Sequence, residues 1–430
     1  MTDSTITSGK KKSLASGAMV YLASNILNAS IPFLLLPILT RHLEPSEYGQ
    51  VAMFQVLISA LAAFVGLNAV GAANRKYYDE DARKEMPGYI GACFQILAIS
   101  FLFVSACLLL FQEWLAEALG LSPIWILLAA VSSGASFVVK MRLGQWQVRK
   151  QALKYGALQI SLSLFNAVLS LVLVVALSYG PEGRMAGQTL APVVLGSLAF
   201  LLLIKDGLVN FSLRLDQIKD ALSFGVPLIP HIGGAFLLST VDRFVINKHL
   251  GLDSAGIYMV AVQLTMAMSI CFDAFNKAYV PWLFERLKTD DSATKRRIVK
   301  WTYAYFVIVL MMAGVAFLIG PYAITLIAGE KYAAAGTVIG ILALGQAFQG
   351  MYLMVTNYIF FSKKTARLSM VTILSGVLNV GLLLLLIPIL GLQGAAVAFV
   401  LAMAIRFVST WWLASISHPM PWFTFRNKEV

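Results

Sequence analysis

Six ionisable residues lie inside long apolar runs: His231, Asp242, Arg243, Asp273, Lys277 and Arg406. A charge within hydrocarbon costs at least about 2.5 kcal/mol, so each asks for a chemical or structural use. Arg406 sits mid-run between AMAI and FVST, with no acidic residue within a helical turn. It is too far from either end to snorkel, so it is expected to face a cavity or an acid on another helix. Its planar fork of donors suits a phosphate-type anion; an interhelical ion pair is the competing reading. Asp242 and Arg243 are adjacent, which on a helix sets them about 100° apart and predicts that they do not simply neutralise each other. Arg243 either snorkels outward or lines a cavity.

Asp273 and Lys277 stand at i, i+4, the spacing of a local salt bridge on one helix face. The alternative gives Lys277 a phosphate and lets Asp273 titrate. His231 follows Pro227 and Pro230, where lost backbone donors kink a helix. A titratable imidazole there either couples protons or is a satisfied core histidine. Pro32 and Pro37 predict a similarly broken first run. Neutral polar side chains in the apolar runs, Asn25, Asn28, Gln55, Asn68, Gln263 and Asn276, offer contacts for a sugar or hydrogen bonds between helices. Cys93, Cys107 and Cys271 fall in apolar runs and are read as packing residues rather than a disulfide framework or metal site.

These residues need long elements to hold them. Of the 430 residues 59% are hydrophobic and 13% charged, with mean hydropathy +0.78, about half the charge of a soluble domain. Stretches long enough to span a bilayer recur at 14–40, 49–72, 89–111, 123–140, 155–178, 185–204, 222–247, 255–280, 301–319, 334–361, 368–388 and 391–415. Twelve transmembrane helices are predicted, since an open sheet would leave backbone groups unpaired in lipid. The first run is too long for a removable signal sequence and reads as a retained helix.

Of the 33 Lys and Arg, 26 fall in the N-terminal tail, the even-numbered loops and the C-terminal tail. The odd-numbered loops hold only Arg41, Arg184, Lys248 and Lys331. The positive-inside rule then places both termini in the cytoplasm. It also accounts for the net charge of +12 through topology and anionic lipid rather than nucleic acid.

The chain reads as built twice. At an offset of 207, TRHLEPSEYG (40–49) meets NKHLGLDSAG (247–256), matching Arg41 to Lys248, His42 to His249 and Gly49 to Gly256. Later, Asn166 precedes GPEG (180–183) and Asn379 precedes GLQG (391–394), at offsets of 213 and 211. Residues 1–204 and 222–430 are therefore expected to form two six-helix lobes joined by a cytoplasmic linker, 205–221. Six spans is an even number, so the lobes share an orientation and are related by a pseudo-two-fold along the membrane normal, as in transporters that bind substrate near the midplane.

STVDRFVINKHLGLDSAGIYMVAVQL (239–264) resembles the seventh-helix region of Wzx-type polysaccharide flippases, members of the multidrug/oligosaccharidyl-lipid/polysaccharide exporter superfamily. SGAMVYLASNILNASIPFLLLPILTRHLEPSEYG (16–49) is similar to their first helix, and VLNVGLLLLLIPILGLQGAAVAFVLA to their closing repeat. The resemblance implies two lobes around a cavity open alternately to either side of a bacterial inner membrane. It implies a substrate of oligosaccharide on undecaprenyl pyrophosphate, and leaves other polysaccharide assembly proteins as candidate partners. Because Arg243 lies inside the most specific match, it joins Arg406 and Lys277 as a candidate for the pyrophosphate. Asp242, Asp273 and His231 are candidates for proton or sodium coupling; Asn25, Asn28, Gln55 and Gln263 for glycan contacts. No bound cofactor is expected.

Two other functions compete with this one. A cation-coupled drug exporter of the same superfamily would want acids in its cavity, yet residues 5–43 contain none and the buried charge leans positive. A membrane enzyme, such as a polysaccharide polymerase, needs acid/base groups on a sizeable exported loop. Only Glu44, Glu47, Glu113, Glu117, Glu182, Asp253 and Glu330 stand on the short turns there, and no phosphate-binding GxxxxGK[ST] loop is present.

Overall fold

A computed structural model describes residues 4–79, 82–288 and 291–422. The tail residues Arg426 and Lys428, counted in the charge argument, lie outside them. Among the described residues the chain is nearly all helical, with no strand, as expected of backbone that must satisfy itself in lipid. The helices are α1 (Ser4–His42), α2 (Pro45–Leu61), α3 (Ala69–Lys76), α4 (Ala82–Leu110), α5 (Gln112–Leu119), α6 (Pro123–Val148), α7 (Ala152–Leu171) and α8 (Gly180–Lys205). There follow α9 (Leu215–Gly225), α10 (Ile229–Ser239), α11 (Val241–Leu287), α12 (Ser292–Ala328), α13 (Gly336–Phe361), α14 (Thr365–Leu390) and α15 (Leu392–Ser417).

Eleven stretches among the described residues are long and apolar enough to cross a membrane, by length and composition. Twelve were expected. The missing one is 49–72, which the chain divides: α2 stops at Leu61, and Gly66, Leu67 and Asn68 take left-handed φ of 82°, 45° and 57° before α3 begins. Ser100 satisfies the break by accepting from the Gly66 amide at 2.8 Å. The expected boundary between 222–247 and 255–280 also moves. Helical residues run from Val241 to Leu287, interrupted only at Gly251 (φ 84°, ψ 174°), a conformation that favours glycine.

Proline acts differently in the two halves. Pro32 and Pro37 were expected to break the first helix, yet α1 remains helical through both. A single missing donor is tolerated when the rest of the ladder holds. Around Pro227 the chain does change, to a 3-10 turn at Val226–Leu228, and it is non-helical again at Thr240 (φ −139°, ψ −33°).

The chain divides into two compact units, Met1–Gly233 and Gly234–Val430, the boundary falling within α10. Asn210 of the 205–214 segment donates from its backbone to the Pro87 carbonyl at 2.8 Å, and α9 is held by Tyr89, whose hydroxyl donates to Asp220 at 2.7 Å. Both contacts lie within the first unit.

Each unit repeats the other's internal logic. His42 Nδ1 meets the Ile38 carbonyl at 2.9 Å and His249 Nδ1 meets the Val245 carbonyl at 3.0 Å, so the matched histidines close the ends of equivalent helices. Gly251 stands 207 residues after Glu44, the extended residue between α1 and α2. In the first unit α1 packs on α7, α2 on α6, α6 on α8 and α7 on α8; in the second α11 packs on α13 and α14, α13 on α15 and α14 on α15.

The core of the second unit is α13. Three of its glycines receive rings from three helices: Gly340 lies against Phe317 of α12, Gly345 against Phe399 of α15 and Gly350 against Phe272 of α11. Small residues allow such close approach where lipid supplies no hydrophobic drive between helices. Added hydrogen bonds join α11 to α13, Asn357 Nδ2 to Asn276 Oδ1 at 2.8 Å and the Ser269 hydroxyl to the Gln346 amide oxygen.

Candidate functional site

The second unit contains a cavity of about 300 Å³ whose wall carries Ser239 of α10, Asp242, Arg243, Tyr258 and Ser269 of α11, Gln346 and Gln349 of α13, and Arg406 of α15. Ala235, Leu238, Val262, Met266, Leu342, Phe399 and Met403 supply the apolar remainder. Three of the charged residues singled out from sequence thus share one space.

The break at Thr240 builds one side of it. Ser239 ends α10 and leaves its carbonyl without a helical partner, while Asp242 enters the first turn of α11, where amides are unsatisfied. Arg243 Nη1 donates to the Ser239 carbonyl at 2.7 Å, and the Arg243 amide donates to Asp242 Oδ1 at 2.9 Å. The carboxylate therefore folds back on its own helix end. It comes within 3.5 Å of Arg243 Nη1, both side chains being buried. Simple helical geometry predicted divergence; the helix restart corrects it.

Arg406 is held otherwise. Its Nη1 donates to the Gln349 amide oxygen at 2.9 Å, and its guanidinium carbon stands 3.8 Å from the centre of the Tyr352 ring, within cation–π range. Its Nε is buried without a hydrogen-bond partner. Among the described residues no carboxylate lies within 4 Å of it, so the interhelical ion pair is not formed. With Asp242 matched to Arg243, the positive charge left in the cavity is that of Arg406.

The other candidates lie elsewhere. Lys277 and Asp273 form the local salt bridge, at 2.6 Å with both side chains about half exposed, and neither lines the cavity. His231 lies before Gly233, outside the cavity wall. Asn25 accepts from Gln159 Nε2 at 3.1 Å and Asn28 accepts from the Ser163 hydroxyl, so both join α1 to α7. Gln55 and Gln263 do not reach the cavity.

Charged side chains are buried in the first unit as well. Arg184, assigned to a loop, is buried in the first unit, donating to Asn166 Oδ1 and Ser170 Oγ at 2.6 Å each. The helix starts at Gly180, so Arg184 already stands inside α8. Arg142 is buried as well, paired with Asp206 and stacked over Trp146 at 4.1 Å. Sequence reasoning also missed Gln346, Gln349 and Tyr352. Their signal is the i, i+3, i+6 spacing in the middle of a largely apolar helix, which groups polar side chains towards one side of it.

The fold and site define a multi-pass helical membrane protein with a charged cavity inside one unit. Residues 14–287 match the model of the polysaccharide biosynthesis protein family, and the chain belongs to that family. It is 26% identical over 393 residues to protein 1 of the Lsg locus of Haemophilus influenzae, covering 88% of this chain and 94% of that one. It is 24% identical over 323 residues to the succinoglycan biosynthesis transport protein ExoT of Rhizobium meliloti, covering 74% and 63%. In fold it is similar to the inward-facing structure of a multidrug resistance MATE family transporter of the MOP superfamily, with TM-score 0.67, 16% identity and coverage of 93% and 97%. A MOP superfamily transporter from Pyrococcus furiosus aligns with TM-score 0.63 at 16% identity, covering 93% and 95%.

Proposed function

We propose that this protein moves an undecaprenyl-pyrophosphate-linked oligosaccharide from the cytoplasmic to the outer leaflet of a bacterial inner membrane, by alternating access and without covalent chemistry. The observation that carries this reading is Arg406, a cavity guanidinium held by an amide and a ring with no carboxylate beside it among the described residues. Such a group answers to an anion, and a diphosphate can take two of its donors at once. The cavity, at about 300 Å³, has the scale of a headgroup rather than a whole glycan, leaving the lipid tail in the bilayer. Family membership and the relative involved in succinoglycan transport support a polysaccharide cargo. Both termini face the cytoplasm, following the distribution of Lys and Arg. Asp242, the acid of the cavity wall, is the candidate for ion coupling, standing 3.5 Å from Arg243. A drug-exporting role is disfavoured by the positive balance of the wall.

The test is a lipid extract from a deletion strain, analysed by mass spectrometry for undecaprenyl-pyrophosphate glycans. A complete repeat unit is expected to accumulate, and wild type but not Arg406→Ala to clear it. An unchanged lipid pool with new sensitivity to cationic drugs would overturn the reading.

A further inference from the structure

We propose that Gln349 sets the charge preference of the cavity, presenting an amide where a carboxylate would neutralise Arg406. The proposal rests on the reading that Arg406 meets an anion. The two guanidiniums of the cavity stand in contrasting surroundings. Arg243 is matched by Asp242 at 3.5 Å and tied to the Ser239 carbonyl. Arg406 is fixed just as firmly, but by partners that carry no charge: the Gln349 oxygen at 2.9 Å and the Tyr352 ring at 3.8 Å.

A neutral acceptor satisfies one of the five guanidinium donors and fixes the group's direction, leaving its charge whole for a ligand. The ring below attracts the cation through its quadrupole, again without neutralising it. Glutamate at 349 would keep the length and one acceptor oxygen while adding a charge, making a stronger, charge-assisted bond. The fold should gain from that change and anion binding should lose. Gln349 is therefore a specificity-determining residue, and a purely structural role makes the opposite prediction, that Gln349→Glu is harmless.

Farnesyl diphosphate serves as the probe, titrated into the full-length protein in lipid nanodiscs, for wild type, Gln349→Glu, Gln349→Met and Arg406→Ala. Gln349→Glu is expected to bind roughly 10- to 100-fold more weakly, the range for losing a hydrogen bond to a charged group, with its melting temperature unchanged or raised. Gln349→Met, which removes the acceptor without adding charge, should stay within a few-fold of wild type. Met403→Glu, one turn from Arg406 along α15 and on the same wall, brings a carboxylate from a second direction and should weaken binding alike; it stands in if Gln349→Glu does not fold. Wild-type binding by a folded Gln349→Glu, with Arg406→Ala inactive, would overturn the role of Gln349 alone. Equal losses in Gln349→Glu and Gln349→Met would do so too. Wild-type binding by Arg406→Ala would overturn the anion site itself.

Discussion

Among individual residues, the cavity separates a paired arginine from an unpaired one, and the two should respond differently to substitution. Arg406→Lys keeps the charge but gives up the planar fork and the stacking on Tyr352. Complementation by this variant should be partial, between wild type and Arg406→Ala, with lipid-linked glycan measured in each strain. Asp242→Asn removes the partner of a buried arginine and is expected to cost about 3 kcal/mol of stability, read from thermal unfolding in detergent. The double change Asp242→Asn with Arg243→Gln should recover much of that loss. These residues also show why the site was only partly legible. Arg406, Asp242 and Arg243 stood out as charges in apolar runs, but the pairing of the last two depends on a helix restart at Thr240 that no spacing rule contains. Gln349 and Tyr352 are ordinary side chains until α13 and α15 are brought together.

At the level of elements, the second unit depends on the close seating of rings on α13. Gly345→Val would drive a side chain into Phe399, itself a cavity residue. Overpacking of this kind costs about 1–3 kcal/mol, so both the melting temperature and probe binding should fall. The start of α12 gives a separate, pH-dependent prediction. Asp291 accepts from the Thr294 hydroxyl at 2.7 Å, and from the Thr294 and Ala293 amides at 2.8 and 3.2 Å. These bonds, the Thr294 hydroxyl first, hold its carboxyl below the usual aspartate range. A lowered folded pKa means the cap stabilises above the unfolded pKa and is lost as pH falls through the folded one. Hydrogen-exchange protection in the first turn of α12, taken relative to the unstructured rate at each pH, should fall on acidification, and Asp291→Asn should flatten that response. Most elements were legible because a bilayer imposes length and apolarity on them. The exceptions were positional: a left-handed break at Gly66–Asn68 shortened the second helix, while Pro32 and Pro37 were absorbed without interruption.

For the whole molecule, the duplication was readable from two echoes at nearly constant offset, and it reappears as matched histidine bonds and matched helix pairings within each unit. The charge distribution predicts topology as well. Reporter fusions at 43 and 181 should be active only when the reporter is exported, and those at 78, 212 and 364 only when it is cytoplasmic. In the proposed function an unpaired cavity guanidinium carries a lipid diphosphate across the membrane. The most direct test is the purified protein in proteoliposomes loaded with a fluorescent polyprenyl-diphosphate oligosaccharide, with the arrival of the glycan in the far leaflet followed by lectin binding. Wild type should move the lipid and Arg406→Ala should not. Equal movement by the two, or none by wild type under any imposed ion gradient, would contradict the account.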